Sequence, residues 1–205
     1  MRIYYTNIEG ADESRAMYPG TSSRPGSAFG VSLLAEAYAD YTGRAALPKI
    51  EQLLLHRQVI TKVPELHYSV SHSASHVIVA LSDSPVGIDT EPESRAVPQD
   101  LIEKITTPQE REFLSFLEIW TLRESYYKLT QEGELRSIKI YRHLGKIVTP
   151  RKDVFCKQYK NVPGAVISVC SFKDDFPEEI TEIPLKKLLK KEKPLQAYPK
   201  GFRLD

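Results

Sequence analysis

Two short segments concentrate side chains able to handle a phosphate. Val86-Gly87-Ile88-Asp89-Thr90-Glu91 closes an apolar run with carboxylates at positions 89 and 91. In extended backbone, residues two apart face the same way, so Asp89 and Glu91 point together and Thr90 points opposite. Glu118-Ile119-Trp120-Thr121-Leu122-Arg123-Glu124-Ser125-Tyr126-Tyr127-Lys128 has helical spacing. There Trp120, Glu124 and Lys128 form an i, i+4, i+8 stripe, flanked by Arg123 and Tyr127. Carboxylates from both segments beside several cations suit a magnesium ion that holds a diphosphate. Each segment also has a plainer reading. Asp89 and Glu91 alone describe an acidic turn at a strand end, and Glu124 with Lys128 a surface ion pair worth about 0.3–0.5 kcal/mol. Trp120 reads as a core anchor, since an indole mostly packs.

The elements that must position these groups follow from periodicity. Residues 2–5 read as a strand and residues 9–27 as a loop rich in Gly, Ser and Pro. Ser27 to Tyr41 predicts a helix capped by Ser27 and stopped by Gly43. His67 to His72 alternates as a strand, Val77 to Leu81 reads as a buried strand, and Val86 to Asp89 as a third. Pro98 to Ile105 predicts a short helix. Thr107-Pro108-Gln109-Glu110 opens another, with a capping residue, a proline at the first position and a glutamate three after the cap. The motif helix runs from Glu118 to Thr130 and ends near Gly133. Strand-like stretches follow at 137–141, 145–149, 154–159 and 165–172, then an amphipathic helix at 181–191. Prolines 85, 92 and 98 mark a boundary, dividing the chain into residues 1–86 and 87–205.

The chain has 205 residues and a net charge of +1, from 28 basic and 27 acidic residues. That is one large domain or two small ones, with no global field to drive it to nucleic acid or a membrane. Its beginning lacks the apolar run of a signal peptide, and no stretch has the length of a membrane span. Cys156 and Cys170 are the only cysteines and read as small core residues, so a reducing cytoplasm is the expected location.

Val-Gly-Ile-Asp-Thr-Glu followed by Trp-Thr-Leu-Arg-Glu-Ser-Tyr-Tyr-Lys resembles the 4′-phosphopantetheinyl transferases, and most closely their larger, single-chain, surfactin-synthetase-activating (Sfp-like) type. That family carries a Gly-Ile-Asp-x-Glu segment, a Trp-x-x-Lys-Glu-Ser-x-x-Lys helix and a Ser-His-Ser segment, here Ser71-His72-Ser73, in the same order. The resemblance implies an α/β (α+β) fold of two pseudo-equivalent lobes, each a small, mainly antiparallel sheet packed by helices, with the active site in the cleft between them. It implies transfer of phosphopantetheine from coenzyme A to a serine of an acyl or peptidyl carrier protein, with Mg²⁺ as cofactor, by a monomer. Asp89, Glu91 and Glu124 would be the metal ligands. His72, with Ser71 beside it, matches the histidine that contacts the coenzyme A phosphates, and Lys128 the helix lysine that serves the diphosphate.

Glu110 aligns with a glutamate proposed as the base that deprotonates the carrier serine. Its other reading is a capping-box residue, and a metal-bound water is a rival base. The chain departs from the family at Arg123, which replaces lysine; it keeps the charge but exchanges protons poorly. The segment ahead of the motifs is short and has no lysine before Lys49, so Arg15 and Arg24 are the candidates to grip the 3′-phosphate, with Lys62 a weaker one. The basic stretch 186–193 reads as a solvated helix face. Two other functions fit parts of this pattern: a different metal-dependent phosphate-ester enzyme, and a degenerate homologue that binds coenzyme A or carrier without transfer.

Overall fold

The computed structural model describes residues 1–44, 53–54, 59–60 and 66–190. The strands are β1 (Arg2–Asn7), β2 (Leu53–Leu54), β3 (Val59–Ile60), β4 (Leu66–His72), β5 (His76–Ser82), β6 (Val86–Pro92), β7 (Tyr141–His143), β8 (Lys146–Val148), β9 (Phe155–Tyr159), β10 (Ala165–Ser171) and β11 (Thr181–Glu182). The helices are α1 (Ser27–Thr42), α2 (Gln99–Ile105), α3 (Pro108–Arg111) and α4 (Phe116–Thr130). A first sheet has the order β11-β1-β5-β4-β3-β2, a second the order β6-β10-β9, and β7 and β8 form a separate hairpin. All pairings are antiparallel except β1 with β11. The expected mixed α/β fold of small antiparallel sheets packed by helices is what the chain forms.

Side-chain alternation sets the layers. Along β5, Val77, Val79 and Leu81 join Phe29, Leu33 and Tyr38 of α1 in one core. The alternate residues Ile78 and Ala80 meet Val86 and Ile88 of β6 and Ile167 and Val169 of β10 in a second. Leu122, Tyr126 and Leu129 of α4 meet Ile138, Ile140 and Cys170 in a third. The layers therefore run α1, first sheet, second sheet, α4. Because Ile88 faces the first sheet, the next residue along β6, Asp89, faces α4.

Helix α4 starts on a capping box: the Ser115 hydroxyl accepts from Glu118 N, and the Glu118 carboxylate accepts from Ser115 N. It thus begins two residues before the expected Glu118 and ends at the expected Thr130, with Gln131 as its cap in the left-handed region (φ 56°). Gly87 lets it sit on β6. A Cβ there would meet the Ser125 carbonyl oxygen at 2.0 Å and Leu129 N at 2.7 Å. Only a residue without a side chain permits that approach.

Several expectations are corrected. Ser27 does not cap α1; the cap position is Gly26, and the Ser27 hydroxyl instead accepts from the Thr21 and Ser22 amides. The stretch 137–141 joins a strand only at Tyr141. The helix expected at 181–191 is replaced by β11 and a single 3₁₀ turn at Leu185–Leu188. Pro184 explains this: it biases the residue before it to extended backbone, which pairs with β1, and it opens the turn after it. Cys156 and Cys170 stand opposite each other on β9 and β10 and form a disulfide, where reduced core thiols were expected. No helix among the described residues is long and apolar enough to cross a membrane.

Candidate active site

Asp89 is the hub. Its Oδ1 accepts from Ser71 Oγ at 2.7 Å and from Lys128 Nζ at 2.7 Å, and Lys128 also donates to the Ile88 carbonyl at 3.0 Å. Three elements meet in this cluster: β4 supplies Ser71, β6 Asp89 and α4 Lys128. Serines of β4 fasten β6 to the first sheet. Ser69 Oγ accepts from Ile88 N at 3.1 Å and Ser71 Oγ from Thr90 N at 3.3 Å. Both serines are buried, and they satisfy amides on the edge of β6 that β10 does not reach. The position expected to contact coenzyme A, Ser71, is therefore committed first to orienting Asp89.

Glu91 and Glu124 share the neighbourhood of Asp89. Burial pushes the Glu124 carboxyl above its ordinary value, the charge of Asp89 pushes it further, and Lys128 and Arg24 oppose. Glu91 is likewise raised by burial, with Arg95 opposing and Asp89 and Glu124 adding to the rise. Glu91 forms an ion pair with Arg95. The carboxylates thus repel one another through a partly desolvated space. They offer hard oxygen donors and no thiol, the chemistry a magnesium ion takes, and a dication would relieve that repulsion. Among the described residues, however, no three acidic, histidine or cysteine side chains form a ready-made ligand cage.

His72, at the end of β4, is half-buried. Burial lowers its pKa, Lys128 and Arg24 lower it further, and Glu13 opposes them. Arg24 is exposed, yet its charge reaches both His72 and Glu124. Its loop is held from below: the Glu13 carboxylate accepts from Gly26 N at 3.1 Å and Ala28 N at 2.7 Å, closing the N-terminus of α1. Gly26 (φ +84°) lies against His72, where a Cβ would stand 3.2 Å from His72 Cβ. Sequence reasoning missed Glu13, Ser69 and Arg95. Only Arg95 left a local trace, four residues after Glu91.

Other expected site residues lie elsewhere. Arg123 has no accessible surface; it donates to Glu110 Oε1 at 2.7 Å and to the Ile105 carbonyl at 2.7 Å. Glu110 is equally buried. It closes the capping box of α3 through Thr107 and also accepts from Ile140 N at 3.2 Å. The capping-box contacts of Glu110 are thus formed. Burial alone would raise the Glu110 carboxyl, but the bonds from Arg123, Thr107 and Ile140 hold it below its ordinary value. Neither residue presents a face to a ligand in this conformation. Arg15 is exposed in a short 3₁₀ turn, where its charge acts on Asp12 and its carbonyl accepts from Lys190 N. Trp120 is half-buried and stacks on Phe116, with ring centroids 6.2 Å apart, so it is not a core anchor. Lys62, and residues 191–193 of the basic stretch, lie outside the described residues.

Fold and site together define a layered α/β protein whose helix lysine and strand carboxylates converge on a place suited to a phosphate-bearing substrate. Residues 85–170 match the model of the 4′-phosphopantetheinyl transferase superfamily. The chain is 30% identical to 4′-phosphopantetheinyl transferase Sfp of Bacillus subtilis (strain 168) over 149 residues, 63% of this chain and 66% of that protein. It has the same identity and coverage with 4′-phosphopantetheinyl transferase ffp of Bacillus subtilis. With psf-1 of Bacillus pumilus, also a 4′-phosphopantetheinyl transferase, it is 31% identical over 103 residues, 43% of each chain. These matches place the chain in the 4′-phosphopantetheinyl transferase superfamily, with the Sfp-like type. It spans 66% of the length of the two Bacillus subtilis relatives.

Proposed function

We propose that this chain transfers 4′-phosphopantetheine from coenzyme A to a serine hydroxyl of an apo acyl or peptidyl carrier protein, releasing adenosine 3′,5′-bisphosphate. The observation that carries this reading is the bond from Lys128 to Asp89, which joins the Gly-Ile-Asp-x-Glu strand to the Glu-Ser-x-x-Lys helix. Each motif alone has a plain structural explanation; their convergence beside Glu124 and His72 does not.

Asp89, Glu91 and Glu124 are the residues that would hold Mg²⁺, with Glu91 released from Arg95. The ion, when bound, neutralises charge on the diphosphate as the leaving phosphate departs. Lys128, oriented by Asp89, offers its ammonium to a diphosphate oxygen. His72, kept neutral by burial and the nearby cations, donates one ring N–H to a phosphate oxygen. Arg24 adds an exposed cation for the remaining phosphate. Ser71 keeps Asp89 aimed, and Gly87 lets α4 approach. Glu110 and Arg123 serve as scaffold, so the proton of the carrier serine goes to another group. Phe113, exposed just ahead of α4, and Phe116 stacked on Trp120 offer an apolar surface for the carrier.

The test is intact-protein mass spectrometry of apo acyl and peptidyl carrier proteins incubated with coenzyme A, Mg²⁺ and the protein, with and without EDTA. A gain of one phosphopantetheine that EDTA abolishes supports the reading. Nucleotide release from coenzyme A without carrier would identify a different phosphate-ester enzyme. Coenzyme A binding with no gain on any carrier would identify a non-transferring homologue.

A further inference from the structure

Beneath α4 the second sheet presents three aligned residues, one from each strand: Gly87 of β6, Cys170 of β10 and Cys156 of β9. Ser125 of α4 stands over the first two. A Cβ on Gly87 would meet its carbonyl oxygen at 2.0 Å, and its Oγ lies 3.3 Å from Cys170 Sγ. The Leu122 carbonyl oxygen is 4.0 Å from the same sulfur. The Cys156–Cys170 bridge is therefore part of the floor on which the turn 122–125 rests. That turn carries Glu124, and Lys128 follows one turn later.

The two cysteines differ in access. Cys170 has no accessible surface. Cys156 is half-buried on the edge strand β9, where it forms part of the wall of an open groove with Ile147, Val154 and Phe155. Thiol–disulfide exchange requires a thiolate to attack one sulfur while the other departs. Attack from solvent must therefore begin at Cys156, with Cys170 leaving. Opening the bridge changes what lies under α4. A bridged sulfur carries no hydrogen, a thiol does, and two thiols need more room than a bonded pair. A close-packed interior has no such room to spare at Cys170. The nearest acceptors for its new S–H are Ser125 Oγ and the Leu122 carbonyl, both on α4.

We propose that Cys156–Cys170 is a thiol-exchange site that sets the packing of α4, and through it the site formed by Asp89, Glu124 and Lys128. The reactant is a dithiol. One of its thiolates attacks Cys156 Sγ; a bond forms between those two sulfurs, the Cys156–Cys170 bond breaks, and its electron pair leaves on Cys170 Sγ, which takes up a proton. The second thiol, deprotonated, then displaces Cys156, which is protonated in turn as the reactant closes into its own disulfide. The chain gains two electrons and two protons, and the dithiol loses them. An oxidised dithiol runs the exchange backward. The bridged form holds α4 against β6 and β10, and the reduced form loosens it. The effect on transfer rests on the transfer reading above; the effect on α4 does not.

Trp120, the only tryptophan of the chain, lies on α4 and reports its packing. The test equilibrates the folded full chain, without denaturant, in mixtures of reduced and oxidised dithiothreitol. Alkylation with intact mass counts free thiols, Trp120 fluorescence is read in the same samples, and mass gain on an apo carrier protein measures transfer. Two alkyl groups on the reduced chain are expected, with a red shift of Trp120 emission at the same midpoint. Transfer should fall in parallel by about tenfold or more, the scale of loss when reacting groups are displaced. Cys156→Ser cannot form the bridge and should match the reduced chain at every ratio; if it fails to fold, thiol count and fluorescence of the unaltered chain decide alone. Transfer absent from both states while Trp120 still responds would sink the transfer reading and support the exchange site. A bridge that stays closed in the folded chain, a bridge that opens with no change at Trp120, or equal measurable transfer in both states would overturn the proposal.

Discussion

Lys128 and Asp89 meet at 2.7 Å although they stand on different elements, and the contact depends on an atom that is absent. Gly87, two residues before Asp89, has no Cβ to strike the Ser125 carbonyl. Gly87→Ala should therefore push α4 off β6 and open the Lys128–Asp89 pair. The overlap is with helix backbone, which cannot rotate away, so the loss of stability should be at the upper end of the about 1–3 kcal/mol typical of overpacking. Urea unfolding measures it; an unchanged midpoint would mean the helix does not sit where described.

Arg123 and Glu110 form a buried pair that anchors α3 to α4. Removing one partner strands the other charge, so Arg123→Met should cost about 3–5 kcal/mol. Replacing both by apolar residues should cost less. The pH dependence follows from the same pair. The folded state holds Glu110 below its ordinary carboxyl value, so its contribution is full above that value and is lost as pH falls through the lower, folded one. Stability should therefore decline on acidification below the ordinary carboxylate range, and Glu110→Gln should remove that part of the decline. Glu110→Gln protein that remains folded should also keep transfer, which separates a scaffold from a base.

Arg24 is exposed but electrostatically coupled to His72 and Glu124. Arg24→Ala should raise the KM for coenzyme A about tenfold, as expected for one charged hydrogen bond, with little change in kcat. Equal losses in both constants would show that Arg24 acts in the chemical step.

The Cys156–Cys170 bridge links adjacent strands beneath α4, where Ser125 Oγ lies 3.3 Å from Cys170 Sγ. Alkylation of the denatured, unreduced protein should find no free thiol. Reduction should lower stability by about 2–4 kcal/mol, measured by denaturation with and without reductant. Free thiols in the purified protein would contradict the bridge.

The features legible in the sequence are those whose signal is local. α1 has nearly the expected bounds because its apolar spacing lies within it and Gly43 directly follows it as the cap. The acidic strand and the motif helix were legible because residue spacing alone aligns Asp89 with Glu91 and Glu124 with Lys128. What could not be read depends on contacts distant in sequence. Ser69 and Ser71 become fasteners only once β6 lies beside β4. Arg123 sits in the helix like a surface cation, and its burial is decided by Glu110 and by the Ile105 carbonyl, both on other elements. Glu13 resembled any loop acid until α1 placed its first amides above it. The tail shows the opposite error: charge and apolar spacing suggested a helix where Pro184 and the free edge of β1 favour a strand.

The account rests on Asp89, Glu124 and Lys128 acting as one transfer site. The most direct measurement compares wild type with Asp89→Asn, Glu124→Gln and Lys128→Met for coenzyme A-dependent mass gain on an apo carrier protein, with thermal unfolding run in parallel. The expected result is one phosphopantetheine added by wild type and a loss of more than about a hundredfold in each variant, with the fold retained. Wild-type rates in folded Asp89→Asn and Glu124→Gln would contradict it.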